Sequence, residues 1–215
     1  MCNIFIIISG VEVMGYLLEI MQEKNISLQY LSSRLNVSVQ LLKYWIDKDY
    51  SIRVNQAIQL SSALDVSINR LFLGTKKPSL NISKLNFEQI QIIYDILDPN
   101  HRKQKRHTPN KALEDIKDMG DKIKFIRKDI LNLSQNKLAK SFNVSRETFK
   151  YWDSGMYLTS IDKIRDISIL SKISMDYILI ENHPLEISTY EMDEKIYNVI
   201  NQIIDIFAGE NNEAE

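Results

Sequence analysis

The side chains in this chain that can do chemistry are unevenly spread. Lys and Arg exceed Asp and Glu by 4 over residues 119–180 and by 3 over 75–118, whereas residues 181–215 carry a balance of −8. Residues 14–74 are near neutral at +1, and residues 1–13 carry −1. A basic block points to a polyanion such as nucleic acid; an acidic end points to solubility or to a basic partner. Plain solvated surface is the other reading of a balance this modest. Within the basic block, Ser145, Arg146, Glu147, Thr148, Lys150 and Tyr151 crowd into one short run, with Ser134 and Gln135 shortly before it. These are charge-bearing and hydrogen-bonding groups, suited to gripping a ligand rather than to breaking bonds. Arg146, Glu147 and Lys150 can equally form the charged face of an exposed helix. Catalysis has no candidate, so no enzyme is expected. There is no Ser/His/Asp set, no phosphate-cradling Gly loop and no pair of acids at a plausible pocket. The single Cys, Cys2, excludes an internal disulfide framework, and the three His are scattered without ligand spacing. No metal and no cofactor are expected.

The elements that must hold these residues are short helices. Six Gly and four Pro in 215 residues argue against a turn-rich β sandwich. Ile123, Ile126 and Ile130 alternate with Lys and Arg. Ser134 is a good N-cap for a helix over 135–141 that turns Leu138 and Phe142 inward. Asn143 ends that helix and tolerates a left-handed turn. Ser145 then caps a helix over 146–153 whose Phe149 and Trp152 share one face, and Gly155 suits its far end. Ser160 and Ser174 open two more helices. Only Ile4 to Ile8 suggests a strand, and no apolar run is long enough for a membrane span.

The chain also repeats itself. Asn36-Val37-Ser38 matches Asn143-Val144-Ser145, Lys43-Tyr44-Trp45 matches Lys150-Tyr151-Trp152, and Leu31 and Ser27 match Leu138 and Ser134, all at an offset of 107. Met14-Gly15 matches Met119-Gly120 at 105, which predicts two extra residues in the second copy's first helix or turn. Asn81-Ile82-Ser83 is similar to Glu186-Ile187-Ser188. Each copy continues into an amphipathic segment: Phe87, Ile90, Ile93, Tyr94 and Leu97 in the first, and Ile196, Val199, Ile200, Ile203, Ile204 and Phe207 in the second. The expected layout is a leader over 1–13, copies over 14–74 and 119–180, an amphipathic helix with a basic linker over 75–118, and an amphipathic helix with an acidic tail over 181–215. The tail from Gly209 is expected to be disordered. The basic run 101–107 is expected to be a mobile linker, either solvated or laid along phosphates.

Residues 120–180 closely resemble the helix-turn-helix domain of the phage repressor and Cro type, the Xre family. The resemblance rests on Ile123-Lys124-Phe125-Ile126-Arg127, Leu133-Ser134-Gln135-Asn136-Lys137-Leu138-Ala139, Asn143-Val144-Ser145-Arg146-Glu147-Thr148-Phe149 and Trp152-Asp153-Ser154-Gly155. Residues 15–74 resemble it more weakly. The resemblance implies an all-α protein of two lambda-repressor-like domains. It also implies a cytoplasmic, sequence-specific transcriptional regulator, a phage or mobile-element type repressor that blocks a promoter, with double-stranded DNA as its partner. In that scheme Arg146 reaches guanine, Glu147 accepts from cytosine, and Tyr151 lies over base edges or a thymine methyl. Ser134, Gln135, Thr148 and Lys150 hold phosphates, and Arg127 pairs with Asp153. In the first copy Gln40, Lys43 and Tyr44 remain as polar contacts, Val39 and Leu41 are expected to be exposed, and Met21 and Ile46 stand for the ion pair. That copy then either binds DNA more weakly or serves as a partner surface, which leaves an adaptor or antirepressor as the alternative function. A tandem chain can supply both half-sites itself and read an asymmetric operator. Alternatively it homodimerises through 87–97 and 190–207, unless those helices pack on their own domains.

Overall fold

The computed structural model describes residues 15–47, 52–98, 115–157 and 159–213. The fold is mostly helical. The first half runs α1 (Gly15–Glu23), α2 (Leu28–Leu35), α3 (Val39–Asp47), α4 (Val54–Leu64), α5 (Ile68–Leu73), β1 (Leu80–Asn81) and α6 (Phe87–Leu97). The second runs α7 (Met119–Phe125), a π-helical turn (Ile126–Ile130), α8 (Gln135–Ser141), α9 (Arg146–Asp153), α10 (Ile161–Ser171), α11 (Met175–Leu179), β2 (Glu186–Ile187) and α12 (Glu194–Glu213). The leader over 1–13, its suggested strand and the basic run 101–107 lie outside the described residues. No described helix is long and apolar enough to cross a membrane.

Serines set the helix starts at matching places in the two halves. Ser27 accepts from the Tyr30 amide at 3.1 Å, and Ser134 from Lys137 at 3.3 Å. Ser38 accepts from Leu41 at 3.1 Å, and Ser145 from Thr148 at 2.9 Å. Each bond satisfies a donor that the first turn of a helix leaves free. Asn36 and Asn143 take φ near +53° between the paired helices, a conformation Asn reaches at less cost than most residues. The extra residues of the second half are absorbed where α7 widens into the π turn, with the Leu131 amide reaching back to the Ile126 carbonyl at 2.8 Å.

The buried apolar residues form one cluster through both halves. Leu31 and Leu138 are both essentially inaccessible, and so are Trp45 and Trp152. Fully burying one such side chain contributes roughly 1.5–3 kcal/mol. The halves meet through like elements: α5 packs on α11, α6 on α12, and β1 pairs antiparallel with β2. The strands were not expected, because two residues are too few to show an alternation. The long amphipathic helices therefore face each other within the chain, rather than each covering only its own domain. The C-terminal residues from Gly209 continue α12 to Glu213, where a disordered tail was expected.

Candidate nucleic-acid interface

The second half builds its polar surface on α9. At one side of that helix Phe149 is fully buried and Trp152 nearly so, with their rings 5.5 Å apart, and Phe142 lies 6.4 Å from Phe149. That anchoring turns Arg146, Glu147 and Lys150 out as exposed residues and leaves Tyr151 more than one-third exposed. The four occupy one outward face, with donors, an acceptor and an aromatic ring side by side.

A buried network fixes the direction of α9. Arg127 grips Asp153 with two parallel bonds, Nε to Oδ1 at 3.0 Å and one terminal nitrogen to Oδ2 at 2.8 Å, while its other terminal nitrogen donates to the Leu133 carbonyl at 2.8 Å. Gln135 adds a bond from Nε2 to Asp153 Oδ2 at 2.9 Å. The π turn, the start of α8 and the end of α9 are thus tied at one carboxylate. Removing one partner of a buried pair costs about 3–5 kcal/mol, because the other charge is stranded.

A glycine pair closes the same corner. A Cβ at Gly120 would fall inside contact distance of the Gly155 backbone, and Gly155 itself sits at φ +69°. Lys122, almost wholly buried on α7, donates to the Tyr177 and Ile180 carbonyls, both at 2.7 Å, and lies 4.8 Å from the Tyr177 ring centroid. Burial pulls its pKa down, opposed by Glu181 and Asp118.

Several sequence-predicted residues sit differently from expectation. Gln135 is half-buried, and its amide nitrogen is spent on Asp153 rather than presented to a phosphate, adding a second donor to the Oδ2 that already accepts from Arg127. Thr148 is half-buried, its hydroxyl 2.8 Å from that of Ser145. Ser134 and Ser145 remain exposed at the starts of α8 and α9, with their hydroxyls engaged in capping. Sequence reasoning missed Lys137 and Lys140, exposed on α8, and Met156 and Tyr157, which follow Gly155. Tyr157 is nearly two-thirds exposed and stands edge-on to Tyr151 at 5.2 Å. The residues after Gly155 carry no periodic pattern, so only their lack of polarity pointed to them.

In the first half, Gln40, Lys43 and Tyr44 are exposed on α3, as expected. Val39 and Leu41 are half-buried, not exposed, and Leu41 packs against the core, as does Leu28. Leu41 and Leu28 turn toward the interior, where they withdraw area from water, whereas Val39 stays partly open to solvent. Tyr30 on α2 is half exposed and accepts a bond from Arg34 at 3.0 Å. The position of Met21 matches that of Arg127: the Ile26 amide bonds the Met21 carbonyl as the Leu133 amide bonds that of Arg127. Among the described residues no cluster of three His, Cys, Asp or Glu side chains is placed to hold a metal ion. Comparison of the chain with family models, with curated proteins and with solved structures finds no match.

Proposed function

We propose that this chain is a sequence-specific DNA-binding transcriptional regulator of the repressor and Cro kind, built from two helix-turn-helix units. In the second unit α8 and α9 form the helix pair. The observation that carries the reading is the outward face of α9, with Arg146, Glu147, Lys150 and Tyr151 exposed above a buried Phe149–Trp152 anchor on a basic segment. A helix of this kind enters the major groove by its N-terminal end. There Arg146 has the fork to take guanine O6 and N7, Glu147 accepts from cytosine N4, and Tyr151 packs beside a base edge. Lys150, with Lys137 and Lys140 of α8, neutralises phosphates and sets the register. Bound protein excludes polymerase from the promoter of a phage or mobile element in the cytoplasm. The adaptor reading drew on exposed Val39 and Leu41; Leu41 packs inward, so that reading has no specific support.

The test is a salt series with a duplex recovered by footprinting the protein's own promoter region. Affinity is expected to fall steeply and linearly in log–log form as salt rises. Arg146→Ala is expected to weaken binding roughly 5- to 150-fold and to relax preference at one base pair. Unchanged affinity and unchanged base preference in that variant would sink the placement of the reading helix.

A further inference from the structure

The two halves contact each other in a pattern that sequence repetition alone does not require. Asn69 and Asp176 occupy equivalent places, 107 residues apart. The Asn69 side-chain oxygen accepts from the Met175 amide at 2.8 Å, and Asp176 Oδ1 accepts from the Ile68 amide at 2.7 Å. Ile68 and Met175 are themselves 107 apart, so each half caps the other half's helix with the same position. In β1 and β2, Asn81 lies opposite Glu186, the two residues that the 105-residue match equates. On either side of that pair Leu80 meets Ile187, and the Ile82 amide bonds the Leu185 carbonyl at 2.9 Å. A residue paired antiparallel with its own counterpart lies on a local twofold axis. α5 also packs on α11 and α6 on α12, each element on its own counterpart. This is the isologous arrangement of a symmetric dimer, here contained in one polypeptide.

We infer that one chain is a complete two-site reader, which binds a single duplex as a monomer through α3 and α9 on two unlike half-sites. The inference rests on the DNA-binding reading above. Extended over the two halves, an axis that exchanges α5 with α11 also exchanges α3 with α9, which makes the two helices an equivalent pair in this inference. Their side chains differ, and so do the half-sites. The α9 half takes G·C pairs through Arg146 and Glu147. The α3 half takes A·T pairs, with Gln40 suited to adenine N6 and N7 and the half-buried Val39 to a thymine methyl. Lys43 and Arg34 supply phosphate contacts on that side.

The junction also selects against pairing between chains. Asp176 uses both oxygens, accepting from the Ile68 and Asn69 amides, while the Asn69 amide group donates to Ser79 at 2.9 Å and to Ser174 at 3.1 Å. The contact needs one carboxylate and one amide. Two second halves from different chains would bring Asp176 against Asp176, and two close carboxylates cannot both ionise cheaply. The tether favours the unlike pair already present in each molecule.

The experiment uses the full chain and a pool of duplexes with a randomised core. Sedimentation is expected to give a free monomer of 25.1 kDa and one chain per duplex. Selection is expected to enrich two unlike half-sites at one fixed spacing, roughly a helical turn centre to centre. Arg146→Ala and Gln40→Ala are each expected to weaken the selected duplex about fivefold or more and to relax only their own half-site. Asn69→Asp is expected to lower affinity for the full site at least about tenfold, with affinity for a duplex carrying only the α9 half-site unchanged. The exchange Asn69→Asp with Asp176→Asn restores the unlike pair and is expected to recover full-site affinity, which separates loss of coupling from loss of folding. A palindrome bound by two chains overturns the inference. So does a lone half-site with no spacing requirement, although the DNA-binding reading then stands. No enrichment at all removes both.

Discussion

The two halves use one backbone plan with two kinds of interior. In the second half, Arg127, Asp153 and Gln135 form a buried charged network that ties α9 in place. In the first, the matching positions hold Met21, Ile46 and Leu28, of which Met21 is buried and the other two are half-buried against the core. The serine caps at Ser27 and Ser134 and at Ser38 and Ser145, and the left-handed turns at Asn36 and Asn143, nevertheless coincide. The ion pair is therefore not what forms the fold. It is one of two ways to fill a corner, and its replacement works because all its members change together. What the second half gains is a fixed aim for the helix that carries Arg146.

The largest test of that contrast is Arg127→Ala. It strands Asp153 and is expected to cost about 3–5 kcal/mol in denaturant unfolding. The triple change Arg127→Met, Asp153→Ile and Gln135→Leu copies the first half and is expected to fall within roughly 1–2 kcal/mol of the parent. A triple variant as unstable as the single one would show that the halves are not interchangeable inside. Next comes the surface. Arg146→Ala is expected to cost about 1–3 kcal/mol of binding in the second half, with no change in melting, whereas Lys43→Ala is expected to weaken binding evenly across sequences. Smaller again is the cap. Ser145→Ala and Ser38→Ala are each expected to lose about 1 kcal/mol of stability, equally in the two halves, by thermal melting.

The smallest effect lies at the junction. Burial raises the pKa of Asp176, opposed first by the amides of Ile68 and Asn69 and then by His183, while Glu186 adds to the rise. The folded state thus holds this proton more tightly than the unfolded chain. Its contribution is fully present below the unfolded carboxyl range near pH 3.9 and is lost as pH rises through the folded value. The stability of the parent minus that of Asp176→Asn is therefore expected to decline as the pH is raised from about 4. A difference that grows with pH would reverse this assignment.

Much of the fold was legible because it is written in local rules. Ser134, Ser145, Asn143 and the apolar spacing of Leu138, Phe149 and Trp152 each act within a turn or two of chain, and they stand where sequence placed them. The two extra residues were legible from the change of offset, though not their form as a π turn. What escaped was long-range. The partners of Asn69 and Asp176 are more than a hundred residues away, and no local pattern marks them. The strands escaped because Leu80–Asn81 and Glu186–Ile187 are too short to alternate. Gln135 was misplaced because its choice between solvent and Asp153 depends on a side chain 18 positions on. Val39 and Leu41 of α3 are expected at the surface from sequence alone, because the first half has lost the polar pattern that would show which way they turn.

The reciprocal junction also bears on dose. A repressor that must first find a second copy of itself occupies its operator in proportion to the square of its concentration when scarce, and its response switches sharply. In the two-site reading proposed above, both half-readers arrive on a single molecule, joined at Asn69 and Asp176 before any operator is met. On that reading, occupancy is expected to rise in simple proportion to copy number from the first few molecules.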